Sequence, residues 1–411
     1  MKHTSKLIIG SASNLLQGKK ITLCVTGSVA AVESVHIARS LMRHGAEVYC
    51  VMSRAGQKII HPDLMEWGTG NPVVTELTGQ IEHITLAGKH EEHVDLVLIA
   101  PSTANTIGKI ANGIDDTPVT TTASSAMGAK IPVMIVPAMH ASMYDHPAVI
   151  ENIEKLKRMG VDFVEPRREE AKAKIPEVDT IVESVIAKLG PRDLEGKHFL
   201  ITAGPTRGWL DRVRFITNPS TGKMGISVAT EILHRGGMVT LILGPTTETP
   251  PSRANTIRVD TSNEMLEKVL SEIKSSKPDV FISSAAVLDY VPTEKEERKR
   301  PSGESYSIKL EPTVKIIDMV RKEHPDLFIV GFKVESGVTD PELEERARVK
   351  VTSGICNLVV ANDAYRKGVA FGTDTNEVII VGTDDYSLKI PLSPKRDIAR
   401  GIVDTILLRM R

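Results

Sequence analysis

Lys20-Ile-Thr-Leu-Cys-Val-Thr-Gly-Ser-Val-Ala-Ala31 is the stretch that decides the fold. Residues 20–26 are an apolar, β-rich run, and Gly27-Ser28 ends it, the pattern of a buried strand running into a loop. An amphipathic helical pattern follows from Ala30 to His44 and closes at Gly45, a residue suited to a left-handed C-cap. Glu47 to Met52 reads as the next strand. Asp95 to Ala100 and Val133 to Val136 read as two more, each running into a proline. Helical patterns separate them, so this part of the chain is expected to build β-α units on a parallel sheet.

The pattern then starts again. Residues 186–197 are polar, carry Gly and Pro, and read as a linker. Beyond them Phe199 to Thr202 is a strand, Ala203 to Thr206 a loop, and Met224 to His234 a helix closed by Gly236-Gly237. Met238 to Leu243, Asp279 to Ser283 and Leu358 to Ala361 are further strands. Glu377 to Val381 and Ser387 to Ile390 read as a pair of edge strands, and Lys395 to Met410 as a closing helix. The charged run Thr293 to Arg300 reads as a solvated, mobile loop. Two parallel-sheet domains of the α/β class are therefore expected, 1–190 and 191–411.

Composition narrows the function. Lys plus Arg number 51 and Asp plus Glu 52, a net charge of −1, without the basic excess of a nucleic-acid or membrane-surface binder. Aromatic residues make up 4%, too few for base-stacking platforms. No apolar run reaches the roughly 18 residues of a membrane span, and that near the start is too short for a signal-peptide core. The three cysteines, Cys24, Cys50 and Cys356, form no CxxC pair, so neither a disulfide framework nor a Cys-rich zinc site is expected. A reducing cytoplasm is the expected compartment.

Several loops carry chemistry. Thr26-Gly27-Ser28-Val29-Ala30-Ala31 joins a strand to a helix with small residues, which lets backbone N–H groups approach a phosphate; a plain βα turn reads the same way. Ala100-Pro101-Ser102-Thr103-Ala104-Asn105-Thr106 offers hydroxyls and an amide at the carboxyl end of another strand, where open α/β sheets bind ligands. Helix capping explains the same hydroxyls. His83 sits in a segment that alternates polar and apolar residues, and His140 ends a strand at the presumed ligand edge; either serves as an ordinary hydrogen-bonded histidine or as a proton-transfer group. In the second half, Asn218-Pro-Ser-Thr-Gly-Lys-Met-Gly225 opens a helix with a lysine suited to anions but lacks P-loop spacing. Ser283-Ser284-Ala285-Ala286-Val287-Leu288-Asp289-Tyr290 ends a strand, and its Asp is suited to a ribose, a Mg²⁺ or a turn.

Taken together in this order, these segments resemble the bifunctional phosphopantothenoylcysteine decarboxylase/phosphopantothenate–cysteine ligases of coenzyme A biosynthesis, over roughly residues 20–410. The ligase half is the closer match, through Ile201 to Arg207, Arg214 to Gly225, Ala285 to Tyr290, Val330-Gly331-Phe332 and Val360-Ala361-Asn362-Asp363. The resemblance implies a flavodoxin-like flavoprotein domain followed by a Rossmann-like ligase domain. It implies FMN bound by Gly27, Ser28, Val29, Ser53, Ser102, Thr103, Ala104 and Asn105, and a catalytic His83. It implies CTP, with Mg²⁺, held by Ser283, Ser284, Ala285, Asp289, Phe332 and Lys350, with Asn218 at an acyl-cytidylate intermediate. A loop lysine, Lys299 or alternatively Lys295, would neutralise the triphosphate. Where a second lysine is common after Lys350, this chain has Gly354.

The implied substrates are 4′-phosphopantothenate, cysteine and CTP. The implied assembly is a homo-oligomer with a trimeric first half and a dimeric second half, up to a dodecamer. Two departures stand out in the decarboxylase half. His140 replaces an asparagine, and the clamp region 169–176 contains no cysteine. The pattern there resembles archaeal members. Lys174 is expected to take the place of the clamp's arginine, with Lys172 or His140 moving the proton. A ligase with an inactive or regulatory flavin-binding first half is the alternative.

Overall fold

Lys20–Val25 (β1) runs parallel to Glu47–Met52 (β2), with Leu23 opposite Cys50 and Cys24 opposite Val51. The computed structural model describes residues 3–89, 91–169, 172–298, 303, 306–369 and 372–410. It divides into two units, Met1–Gly190 and Pro191–Arg411.

In the first unit the helices are Ser34–Arg43 (α1), Pro62–Thr69 (α2), Glu82–Ala87 (α3), Ala104–Ala111 (α4), Pro118–Ala129 (α5), Ala141–Tyr144 (α6), Pro147–Arg158 (α7) and Val178–Leu189 (α8). The remaining strands are Val73–Val74 (β3), Leu96–Ser102 (β4), Val133–Pro137 (β5), Met139–His140 (β6), Asp162–Phe163 (β7), Arg167–Glu169 (β8) and Lys172–Lys174 (β9). The main sheet has the order β3-β2-β1-β4-β5-β7 and every pair in it is parallel. With the two-residue edge strand β3 set aside, this is the 2-1-3-4-5 order of flavodoxin-like sheets. Leu23, Val25 and Leu98 face Ile37, Leu41 and Val185 of α1 and α8. Cys24, Val97 and Ile99 face Ile107, Ala123 and Ile153 of α4, α5 and α7. Burial on both faces is why the strands read as continuous apolar runs. A separate three-stranded flap, β6-β9-β8, lies beyond the end of β5.

The second unit repeats the scheme. Its strands are His198–Ala203 (β10), Arg207–Trp209 (β11), Phe215–Thr217 (β12), Met238–Leu243 (β13), Asn255–Arg258 (β14), Val280–Ser283 (β15), Tyr290–Pro292 (β16), Leu310–Pro312 (β17), Phe328–Glu335 (β18), Leu358–Asp363 (β19), Thr375–Gly382 (β20) and Ser387–Pro394 (β21). Its helices are Lys223–His234 (α9), Ser262–Ser276 (α10), Ile316–Glu323 (α11), Asp340–Thr352 (α12) and Lys395–Arg409 (α13). The sheet order is β14-β13-β10-β15-β18-β19-β20-β21, a Rossmann-type 3-2-1-4-5-6 core extended by two antiparallel strands. α9 and α13 cover one face, and α10, α11 and α12 the other.

Three local expectations change. The helical pattern from Ala30 to His44 begins as a 3-10 turn, Val29–Glu33, before α1. The alternation around His83 is carried by a helix, α3, whose first residue Glu82 accepts hydrogen bonds from the backbone and hydroxyl of Thr78 (2.9 and 2.5 Å). Of the presumed edge pair, β20 is interior, because it also pairs with β19; only β21 is an edge.

The two sheets share one device at their amino ends. Asp95 accepts from Lys20 N (2.8 Å) and Lys19 Nζ (3.0 Å), while Asp95 N donates to Lys20 O (2.8 Å). Asp279 does the same with His198 N (2.8 Å), Lys197 Nζ (3.1 Å) and His198 O (2.8 Å). Among the described residues no helix is long and apolar enough to cross a membrane.

Candidate active sites

Each sheet carries a cleft at the carboxyl ends of its central strands, where the strand order reverses and open α/β sheets bind ligands.

In the first unit the loops after β1, β4 and β5 are sewn together by short polar contacts. Thr26 Oγ1 donates to Pro101 O (2.8 Å) and accepts from Thr103 N (3.3 Å). Ser28 Oγ donates to Ala138 O (3.1 Å), and Ala138 N to Ser102 O (3.0 Å). The cleft above them has a volume of about 610 Å³ and is lined by Gly27, Ser28, Val29, Thr103, His140, Arg167 and Lys174, with the apolar Val32, Met139 and Ile175. Ser53 after β2, Ser102 at the end of β4, and Ala104 and Asn105 in the first turn of α4 stand behind the wall rather than on it. Ser53 Oγ accepts from Gly56 N (3.1 Å), and Thr103 caps α4 by accepting from Thr106 N (3.3 Å).

Two observations fit a bound planar, phosphorylated group here. A Cβ on Gly27 would lie 2.5 Å from Ala55 Cβ, so only glycine keeps that loop open. Ser102 Oγ is buried without a hydrogen-bond partner among the described residues, a costly state unless something else satisfies it.

The flap brings His140, Arg167 and Lys174 to the cleft wall; the side chain of Lys172 lies outside the described residues. β6 pairs with β9 so that His140 opposes Lys172, and β8 pairs with β9 so that Arg167 opposes Lys174. His140 Nδ1 accepts from Ser142 N (3.4 Å) at the start of α6, which turns its other nitrogen to a free role. Arg167 also bonds Ile175 O (3.4 Å) and Glu177. Sequence reading missed Arg167, since no local motif marks it; only the β8–β9 pairing brings it to the wall.

His83 is elsewhere. It rides on α3, against α5, and does not line this cleft. Its Nδ1 is buried and has no partner among the described residues.

The cleft of the second unit has a volume of about 110 Å³ and is lined by 220–225, Ser284, Ala285, Ala286, Phe332, Val334, Asn362, Asn376 and Lys395. α9 opens with Gly222 in the left-handed region (φ 79°) and has no side-chain cap, so its first N–H groups are available to an anion. A Cβ on Gly225 would stand 2.4 Å from Ser284 Oγ and 2.6 Å from Ala203 Cβ. Gly225→Ala is therefore expected to cost about 1–3 kcal/mol, seen as a lower thermal midpoint, and to weaken nucleotide binding by lifting α9 off the sheet. An unchanged midpoint would refute this close packing.

Asn218 stands two residues before the lining and is not part of it. Its Nδ2 donates to Ala286 O (3.1 Å) and Val287 O (3.3 Å), tying the loop before α9 to the loop after β15. Ser284 Oγ donates to Thr202 O (2.5 Å), and Ser283 closes β15 below it. Asp289 lies outside the lining, exposed and paired with Lys315. Lys350 lies on α12, also off the lining. Lys295 stands 5.6 Å over the Trp209 ring, and Lys299 falls outside the described residues. Among the described residues no group of three or more His, Cys, Asp or Glu side chains is placed to hold a metal.

A parallel sheet with glycine- and hydroxyl-rich loops at its switch point, followed by a second sheet with its own cleft, defines a two-domain α/β protein with two separate sites. A family model described as Flavoprotein matches residues 9–190, and one described as DNA/pantothenate metabolism flavoprotein C-terminal domain matches residues 194–409. The chain belongs to the family of coenzyme A biosynthesis bifunctional proteins. It is 52% identical over 406 residues to the coenzyme A biosynthesis bifunctional protein CoaBC of Thermococcus kodakarensis, covering 99% of each chain. To that of Methanocaldococcus jannaschii it is 38% identical, covering 98% of this chain and 97% of the relative. A crystal structure of the C-terminal domain of a CoaBC protein matches 53% of this chain and 97% of its own, with 33% identity and a TM-score of 0.44.

Proposed function

We propose that the second unit joins cysteine to 4′-phosphopantothenate at the expense of CTP. The first unit, with FMN bound, then decarboxylates the resulting 4′-phosphopantothenoylcysteine to 4′-phosphopantetheine. The observation that carries this reading is that each sheet has its own cleft at its switch point, built from a different set of loops.

In the ligase step the carboxylate oxygen of 4′-phosphopantothenate attacks the α-phosphorus of CTP. The bond to the β-phosphate oxygen breaks, and pyrophosphate leaves; Mg²⁺, where bound to the triphosphate, would offset its charge. Cysteine's amine then attacks the acyl carbon and CMP departs. Asn218 ties the two loops beside the acyl-cytidylate. Ser283, Ser284 and Ala285 border the nucleoside, and Phe332 offers its ring to the base. Asp289 and Lys350 join the nucleotide from their separate positions, and Lys299 or Lys295 meets the triphosphate.

In the decarboxylase step Gly27, Ser28, Val29, Ser102 and Thr103, backed by Ser53, Ala104 and Asn105, receive the flavin. Bound flavin supplies a reversible electron sink that lets the substrate carboxylate leave as CO₂. Lys174 and Arg167 meet the negative charges of the substrate, and Lys172 or His140 moves the proton. His83 completes the site from another copy of the chain. Its ring nitrogen, unpartnered among the described residues, and its place off the lining of its own cleft support a homo-oligomer; a trimeric first unit and a dimeric second unit are the assembly proposed.

One assay tests the whole: purified flavin-loaded protein with 4′-phosphopantothenate, cysteine and CTP. Pyrophosphate and CO₂ together support both halves. Pyrophosphate alone leaves a ligase with an inert first half, and neither product overturns the reading. ATP in place of CTP tests the choice of nucleotide.

A further inference from the structure

His83 follows a turn whose shape strains the backbone. Ile81, just before α3, has φ 49° and ψ 47°, the left-handed region that a β-branched residue rarely enters. Its side chain is 53% exposed, so burial does not offset that strain. Nor does a helix of six residues hold itself in water. Strain kept at an exposed position beside a candidate functional residue points to a use for the shape itself.

Bonds on both sides of Ile81 hold the turn. Thr78 O accepts from Ile81 N (3.2 Å), and Ile81 O accepts from Ile84 N (2.9 Å) and Thr85 N (3.2 Å). The Glu82 carboxylate reaches back to Thr78 and accepts from its N–H (2.9 Å) and its hydroxyl (2.5 Å). The same hydroxyl oxygen accepts from Gln80 N (3.2 Å). Thr78 and Glu82 thus close a clasp over residues 78–82, and His83 is the next residue. At the far end of α3, Leu86 O accepts from Val94 N (3.0 Å) and Ala87 is fully buried. The short helix is pinned at both ends, with the ring between them.

The clasp also fixes a charge. The bonds from Thr78 hold the Glu82 carboxyl below the usual carboxylate range, and His83 adds to this, so Glu82 is ionised at neutral pH. α5, packed against α3, contributes no titratable side chain to oppose it.

We propose that Glu82 and Thr78 are positioning residues for the decarboxylase step: through the strained turn at Ile81 they fix the direction in which the His83 ring leaves α3, and Glu82 sets a carboxylate beside that ring. This inference rests on reading His83 as a group that serves a flavin cleft. Glu82 exchanges no proton. It favours the ring in its charged form, as an adjacent carboxylate does, and keeps it from swinging with a helix too short to be rigid.

The test is steady-state CO₂ release from supplied 4′-phosphopantothenoylcysteine by the full-length, flavin-loaded protein. CTP-dependent pyrophosphate release and the thermal midpoint are measured on the same samples. Glu82→Ala is expected to lower kcat for CO₂ about tenfold with KM little changed, and Thr78→Val to act in the same direction. Glu82→Gln, which still accepts a bond from Thr78, is expected to regain part of the loss. Midpoint and pyrophosphate release are expected to hold, because relaxation of Ile81 offsets the bonds lost from an exposed turn. In His83→Ala protein the added Glu82→Ala change is expected to cost nothing further, since it acts only through that ring. Wild-type CO₂ release by Glu82→Ala overturns the positioning role. So do losses that multiply in the double variant, or a fall in pyrophosphate release in step with that of CO₂. His83→Ala with wild-type CO₂ release instead overturns the reading of His83 itself, and the role of Glu82 with it.

Discussion

Asn218→Asp is expected to slow pyrophosphate release by about 10²–10³-fold while CO₂ release from supplied 4′-phosphopantothenoylcysteine is unchanged. The amide of Asn218 donates two hydrogen bonds, to Ala286 O and Val287 O. A carboxylate of the same size turns both into contacts between oxygens, so the two loops push apart. The substitution adds a charge and removes no volume, so the core beneath, with Ile201, Val228 and Ile282 buried, keeps its packing. A thermal midpoint close to wild type is part of the expected result. Ligation within a few-fold of wild type in this variant would remove Asn218 from the site.

His83→Ala is expected to act on the other half alone, lowering CO₂ release by about 10²–10⁴-fold and leaving CTP-dependent pyrophosphate release intact. Flavin absorbance should persist, because the Gly27 and Thr103 loops are untouched. The folded state should not suffer either, since His83 Nδ1 is buried and has no partner among the described residues, so its removal relieves a cost. Mixing His83→Ala with Lys174→Ala under conditions that let subunits exchange is the sharper measurement. If His83 of one copy serves the cleft of another, some clefts in the mixture regain both residues and CO₂ release returns. A mixture as inactive as its parents would place His83 in its own chain's chemistry or in none.

The parallel cores were legible because β1, β2, β10 and β13 are buried on both faces. An apolar run bounded by Gly or Pro has few other readings. The flap was not legible. β6, β8 and β9 are two or three residues long, and their pairing depends on contacts that no local pattern records. The alternation around His83 misled for the same reason, since a six-residue helix is too short to show its period. In the site, loops such as 27–31 and 218–225 announced themselves by glycines and hydroxyls next to strands. Asn362, Asn376 and Lys395 did not, because each comes from a different strand end or helix start and only the sheet order gathers them. Lys395 in particular reads as nothing more than a helix opening.

The paired aspartates at the amino ends of the two sheets have a consequence for how such a protein can change. Asp95 fixes β1 against β4 across 75 residues, and Asp279 fixes β10 against β15 across 81, both at the edge away from the chemistry. Alignment of the central strands is thus settled without help from the opposite rim. The loops on that rim carry little of the burden of holding the sheet together. Evolution, or an engineer, can rewrite them for another acid or another nucleotide while the scaffold stays in place.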